Sequence, residues 1–182
     1  VALLGAAFVV GGLTASFDAS SVRADEPTVA ANVSATTPDA IEYQIEEGFV
    51  TITGLREEFR EATTVSVPKQ IGMGMVKKIA PNAFQKRERL ETVVFADATA
   101  LDEIGARAFA GCSALKSVDF GKGSVGVVGD WAFSQCSALT AVELPKSVRV
   151  IGMGAFALCS SLATVSGGDG VEERQQFSRC HE

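Results

Sequence analysis

Histidine is almost missing from this chain. The 182 residues hold one, His181, in the terminal Cys180-His181-Glu182. A Ser-His-Asp or Cys-His arrangement would rest on a residue in a tail, which argues against histidine-based nucleophilic chemistry. Positive charge is also scarce: 16 Lys and Arg stand against 22 Asp and Glu, a formal net charge of -6. The basic footprint of a nucleic-acid-binding protein is therefore lacking, and nucleic acid is not an expected partner. There is one Trp and one Tyr beside 11 Phe and 18 Gly, a distribution that serves a repeat better than an aromatic binding cleft. The four cysteines include no close ligand pair of the structural-zinc kind. Glu57, Glu58 and Glu61 read as a solvated face rather than as paired catalytic carboxylates. The glycines of residues 121–130 lack the Lys-Ser/Thr ending of a phosphate loop. No catalytic residue, cofactor or metal site is assigned, and an enzyme is not expected.

What is present is one phrase repeated. Residues 104–120 read IGARAFAGCSALKSVDF, residues 128–144 VGDWAFSQCSALTAVEL and residues 151–166 IGMGAFALCSSLATVS. Aligned on the Ala-Phe pair, Phe84, Phe109, Phe133 and Phe156 follow one another by 25, 24 and 23 residues. Leu90, Leu115, Leu139 and Leu162 keep the same steps, as do Val93, Val118, Val142 and Val165 and the openers Ile79, Ile104, Val128 and Ile151. Columns that drift together in this way define a tandem array, in which each unit buries an apolar side against its neighbours. The Leu-x-x-Val-x-Phe spacing predicts a short strand with alternate side chains inward. The Ala-Phe segment before it predicts a short helical turn, and Gly105, Gly129 and Gly152 a tight bend. Cys112, Cys136 and Cys159 fill one column, where the first unit has Arg87. Such periodicity favours a ladder of buried thiols over disulfides, although export would allow disulfides.

The flanks differ. Residues 1–13, VALLGAAFVVGGL, are apolar but shorter than the about 20 residues of a membrane span. With Val22-Arg23-Ala24 after them they fit a secretory signal peptide cleaved after Ala24, leaving no membrane span in the mature chain. Residues 25–40 read as a flexible linker rich in Ala, Thr and Pro. Residues 41–54 alternate through Ile41, Tyr43 and Ile45, turn at Glu46-Glu47-Gly48 and resume at Val50 and Ile52, which predicts a β-hairpin placed to cover the end of the stack. Residues 63–68 repeat the strand ending through Val65 and Val67 as a degenerate coil. The expected organisation is therefore a cap and degenerate coil over 41–68, an array over 69–166 and an irregular tail over 167–182. With no cap in that tail, the open end invites self-association, and a fragment of a longer surface protein is the favoured reading.

The repeated phrase resembles the BspA-like leucine-rich repeat, and residues 144–156, LPKSVRVIGMGAF, are similar to its linker. Residues 46–54 with 65–68 resemble its N-terminal cap. The resemblance runs from about Ile41 to Val165, and departs at Ala80, in place of Gly, and at Arg87, in place of Cys. It implies an α/β leucine-rich-repeat solenoid of about four coils of 23–25 residues, each a turn, a short helix and a strand. It further implies a bacterial protein, secreted or on the cell surface, used for adhesion and protein binding, with no shared catalytic residues. The expected core is Phe84, Leu90, Val93, Phe109, Cys112, Leu115, Val118, Phe133, Cys136, Leu139, Val142, Phe156, Cys159, Leu162 and Val165.

The outward strand positions Thr92, Val94, Lys116, Ser117, Asp119, Ala141, Glu143, Thr164 and Ser166 form the candidate surface. Their expected partner is a protein, host extracellular or on a neighbouring cell. Ordinary solvated positions would look alike, since no aromatic or Arg anchor stands among them. A passive envelope spacer, or a targeting module of a larger surface enzyme, are the competing readings.

Overall fold

The computed structural model describes residues 34–35, 38–95, 100–121, 123–168 and 171. Its strands are β1 (Ser34–Ala35), β2 (Ile41–Glu46), β3 (Phe49–Leu55), β4 (Thr64–Ser66), β5 (Gln70–Ile71), β6 (Gly74–Ile79), β7 (Thr92–Val94), β8 (Glu103–Ile104), β9 (Ser117–Asp119), β10 (Val127–Val128), β11 (Ala141–Leu144), β12 (Val150–Ile151) and β13 (Thr164–Gly167). They wind into a β-solenoid of about five turns, the degenerate unit with β4 adding one to the four read from the sequence.

Each coil has three sides. On the strand side β1, β4, β7 and β9 are parallel neighbours, with Thr64 beside Thr92 beside Ser117, and β11 and β13 form a second parallel pair. Alternation sends Val65, Val93, Val118 and Val142 inward, and all are buried. The second side is a ladder in the order β12-β10-β8-β6-β3-β2, with β5 folded onto β6. Here Ile79, Ile104, Val128 and Ile151 stack in register. The predicted hairpin is its first rung: β2 runs antiparallel to β3, and β3 parallel to β6. Its turn residues Glu47 and Gly48 both have left-handed φ, 52° and 81°, as the twist of a two-residue hairpin requires.

The third side corrects the expected short helix, and with it the α/β label. No α-helix occurs among the described residues, and the Ala-Phe segments are runs of turns. Two columns prevent a helix. Two residues before each Phe, Asn82, Arg107, Trp131 and Gly154 have φ between 56° and 61°. Two residues after it, Lys86, Gly111, Gln135 and Leu158 have φ between 58° and 77°. A left-handed residue at every fourth position cannot carry a right-handed helix. The amides turn outward along the solenoid axis instead. Asn82, Phe84 and Lys86 donate to Ala106, Ala108 and Ala110 of the next coil, and Arg107, Phe109 and Gly111 to Asp130, Ala132 and Ser134. Trp131, Phe133 and Gln135 continue the ladder to Met153, Ala155 and Ala157, every bond between 2.7 and 3.0 Å. The intervening amides close local turns, as Ala108 does on Gly105.

Behind this ladder stands the phenylalanine column. Phe84, Phe109, Phe133 and Phe156 stack nearly parallel, with centroids 4.9, 5.1 and 5.5 Å apart. That spacing follows the 4.7–4.9 Å repeat of neighbouring strands, slightly lengthened by the offset that aromatic pairs prefer. Phe95 and Phe120 make a second stack at 5.2 Å, and the Phe95 ring also meets Phe109 edge-on. The recurrent glycines have a different cause from the expected bend. A Cβ on Gly105 would lie 2.6 Å from the Pro81 nitrogen and one on Gly129 2.7 Å from that of Ala106, while one on Gly152 would strike Asp130. These positions let one coil's backbone approach the next.

Candidate partner-binding surface

The candidate residues share the strand side. Register sets Thr92 beside Ser117 and Val94 beside Asp119, and further along Ala141 beside Thr164 and Glu143 beside Ser166. Thr92 and Val94 are half-buried and the other seven are exposed. Several are tied to neighbouring groups. The Lys116 ammonium meets Glu91 at 2.8 Å, the Ser117 hydroxyl donates to Thr92 Oγ1 at 3.3 Å, and the Asp119 carboxylate accepts from the Gly121 N–H at 2.8 Å.

The two rows do not form one surface. Among the described residues no ladder hydrogen bond joins β9 to β11, and the sheet ends between them. The coils are still joined just upstream, where the Ala138 N–H donates to Ser113. The Ser117 N–H goes to Glu91 and the Phe95 N–H to Asp119, so strand alternation turns the Val118 N–H and C=O toward β11. A cleft of about 730 Å³ opens at this break, lined by Asp119, Phe120, Glu143, Leu144, Lys146 and Ser147 among others. The sequence carries one sign of it: Gly121-Lys122-Gly123-Ser124 follows Phe120 where the coils part.

The core column of cysteines has a role the sequence does not reveal. Cys112, Cys136 and Cys159 are free and buried. Cys112 Sγ donates to the Phe84 carbonyl at 3.2 Å, Cys136 to Phe109 at 3.3 Å and Cys159 to Phe133 at 3.1 Å. Each thiol thus satisfies a buried carbonyl of the preceding coil. Burial pushes the Cys112 thiol up from 9.0 to about 12. The neighbouring Cys159 thiol, followed by burial, pushes Cys136 up as well. The other expected core residues are buried except Val165, which is half-buried on the last described strand.

Stacked parallel strands one coil apart, an inward Leu and Val column and a column of side chains bonding the preceding coil's backbone define a leucine-rich-repeat solenoid. The profile of the BspA type leucine-rich repeat region matches residues 63–181 in six copies, and the chain belongs to that family. Among solved structures it is similar to a leucine-rich repeat protein of Bacteroides ovatus ATCC 8483, with 29% identity and a TM-score of 0.55 over 75% of this chain and 42% of that one. It is also similar to the leucine-rich repeat protein of T. pallidum, with 28% identity and a TM-score of 0.54 over 71% of this chain and 70% of that one. A leucine-rich repeat protein of Bacteroides capillosus ATCC 29799 shares the fold at 24% identity, with a TM-score of 0.63 over 72% of this chain and 96% of that one. The chain therefore spans less than half of the Bacteroides ovatus protein's length. Nothing among curated proteins matches it.

The family match crosses the stretch read from sequence as an irregular tail. There Phe177-Ser178-Arg179-Cys180 repeats the pattern of Phe133-Ser134-Gln135-Cys136. Its step of 21 residues from Phe156 is shorter than the other steps, so fixed columns pass over it. Those residues, like the signal-peptide segment 1–24 and most of the linker 25–40, lie outside the described ones. No described helix is long and apolar enough to cross a membrane.

Proposed function

We propose that this chain is a non-catalytic protein-binding module, adhesin-like, secreted or held at the cell surface, and that its strand side receives the partner. The observation that carries the reading is the alignment of eight of the nine candidate positions, all but Lys116, in two rows on parallel strands. A repeat array offers such an extended surface rather than an enclosed pocket. The break between β9 and β11 adds backbone hydrogen-bonding capacity in the middle of it. The apolar segment 1–13 with its cleavage pattern supports export, the linker 25–40 gives spacing, and the hairpin within 41–68 serves as the cap of the array over 69–166. A host extracellular or neighbouring-cell protein is the partner this arrangement suits.

The test is surface plasmon resonance of the chain on a panel of immobilised host extracellular proteins. A variant with Thr92→Ala, Asp119→Ala, Glu143→Ala and Thr164→Ala, unfolding at the parent's midpoint, loses the binding. Binding retained at parental strength removes the strand side from the account. A spacer that self-associates is the second reading, and the exposed Val150, Met153 and Leu158 near the last described coil favour it. Sedimentation showing a monomer up to high concentration would count against it.

A further inference from the structure

The turn side gathers cations that no carboxylate among the described residues pairs. Although carboxylates outnumber cations, Lys86, Arg87 and Arg107 form no ion pair among the described residues. By contrast Arg60, Lys77, Lys78, Arg89 and Lys116 each meet a carboxylate at 2.8–3.4 Å. Lys86 and Arg107 line an open cleft of about 310 Å³ with Gln85, Gln135 and the only tryptophan, Trp131. Through Lys86 it adjoins a second cleft of about 460 Å³ that holds Arg87. Of the other unpaired cations, Arg56, Lys69, Lys146 and Arg149, none lines the first cleft. No carboxylate of the described residues lines the first cleft; Asp130 accepts from the Met153 N–H at 2.7 Å, and in the second cleft Glu61 pairs with Arg60 and Arg89 while Glu88 stands beside Arg87.

Backbone geometry singles out the same residues. Lys86, Arg107, Trp131 and Gln135 all hold left-handed φ, between 56° and 60°. Their columns also contain Asn82, Gly111 and Gly154, the residue types that adopt this conformation easily, and Leu158, which lies outside the cleft. Bulky side chains kept at a conformational cost, together on one cleft, point to a use other than folding. Trp131 packs against Gly154, where a Cβ would lie 2.7 Å from its ring, and its indole also lines the cleft.

We infer that this turn-side cleft binds an anionic glycan, one bearing sulfate or carboxylate groups. The indole offers a sugar ring a stacking platform, the Gln85 and Gln135 amides suit ring hydroxyls, and Lys86, Arg87 and Arg107 take the anionic substituents. An acidic peptide is less well served, because the cleft is shallow and its one large apolar group is flat. This site stands on a different side of the solenoid from the protein-binding surface and does not depend on it.

The experiment is isothermal titration of the whole chain with a heparin-derived hexasaccharide at low and physiological salt. Binding is expected at low salt and weakens as salt rises. Arg107→Gly and Trp131→Asn each reduce affinity about tenfold or more. Arg107→Gly melts no lower than the parent, because glycine relieves the left-handed backbone, so its loss of binding is not a loss of fold. Lys69→Ala binds as the parent does, and a neutral dextran hexasaccharide does not bind. Three results would overturn the inference: no binding at low salt, parental affinity in either cleft variant, or equally tight binding of a linear polyphosphate of the same charge.

Discussion

The strand side and the turn side are built from the same repeats, yet only one is continuous. On the turn side the coils of Phe84, Phe109 and Phe133 each give three amides to the next, the phenylalanines stack without interruption and each cysteine thiol reaches back to a carbonyl. On the strand side the ladder stops between β9 and β11. The contrast teaches that the strands, which give a leucine-rich repeat its usual outline, are not what holds these coils in register. The turns, the column behind them and the unbroken second ladder from β3 to β12 do so, which leaves the strand side free to vary.

The largest break in that comparison should come from the phenylalanine column. Phe133→Ala, with its ring buried between Phe109 and Phe156, is expected to cost about 3–5 kcal/mol in urea unfolding. A midpoint equal to the parent's would show that the stack is not the spine.

A smaller loss is expected from the thiols. Cys136→Ala removes one of two donors to the Phe109 carbonyl, which keeps the Cys112 N–H at 3.3 Å, and is expected to cost about 0.5–1.5 kcal/mol. Cys136→Ser keeps a donor and should lose less; equal losses in the two variants would assign the effect to volume alone.

The same column sets a pH dependence. Because the native Cys112 thiol is raised from 9.0 to about 12 by burial, the fold holds its proton more tightly than the unfolded chain does. The contribution is complete below about pH 9 and declines as pH climbs toward 12. The stability of the parent should therefore fall above pH 9 more steeply than that of Cys112→Ser, and parallel profiles would contradict a buried protonated thiol.

The smallest effect sharpens the comparison from the other direction. Leu158 is exposed with φ 59°, in the column where Gly111 stands. Leu158→Gly should raise stability by about 0.5–1 kcal/mol, the relief of left-handed strain partly offset by chain entropy. A loss would mean that its side chain has a packing role.

Much of the fold was legible because stacking writes itself into sequence as columns. The Leu and Val columns gave the strands, and the alternation through Ile41, Val50 and Ile52 gave the hairpin. The helix was not legible correctly, because apolar spacing around Phe109 and Phe133 fits a helical turn as well as a run of β-turns. What decides between them is the left-handed backbone at Arg107, Trp131 and Gln135, residue types that do not announce it. Gly105 and Gly129 were recognised as special, but close backbone approach between coils is a tertiary fact that local spacing cannot convey. The candidate strand-side residues could be placed by parity alone. The break beside them could not, since it depends on how β9 and β11 sit in space, and the cleft of Lys86, Arg107 and Trp131 joins residues from successive repeats.

Native-state hydrogen exchange, read amide by amide, tests the central claim most directly. The account predicts that the Phe84, Phe109 and Phe133 amides, bonded to the next coil at 2.7–2.8 Å, exchange only through global unfolding, and that the Val118 and Glu143 amides at the break exchange far faster by local opening. Equal protection on both sides, or slower exchange at the break than along the turns, would contradict it.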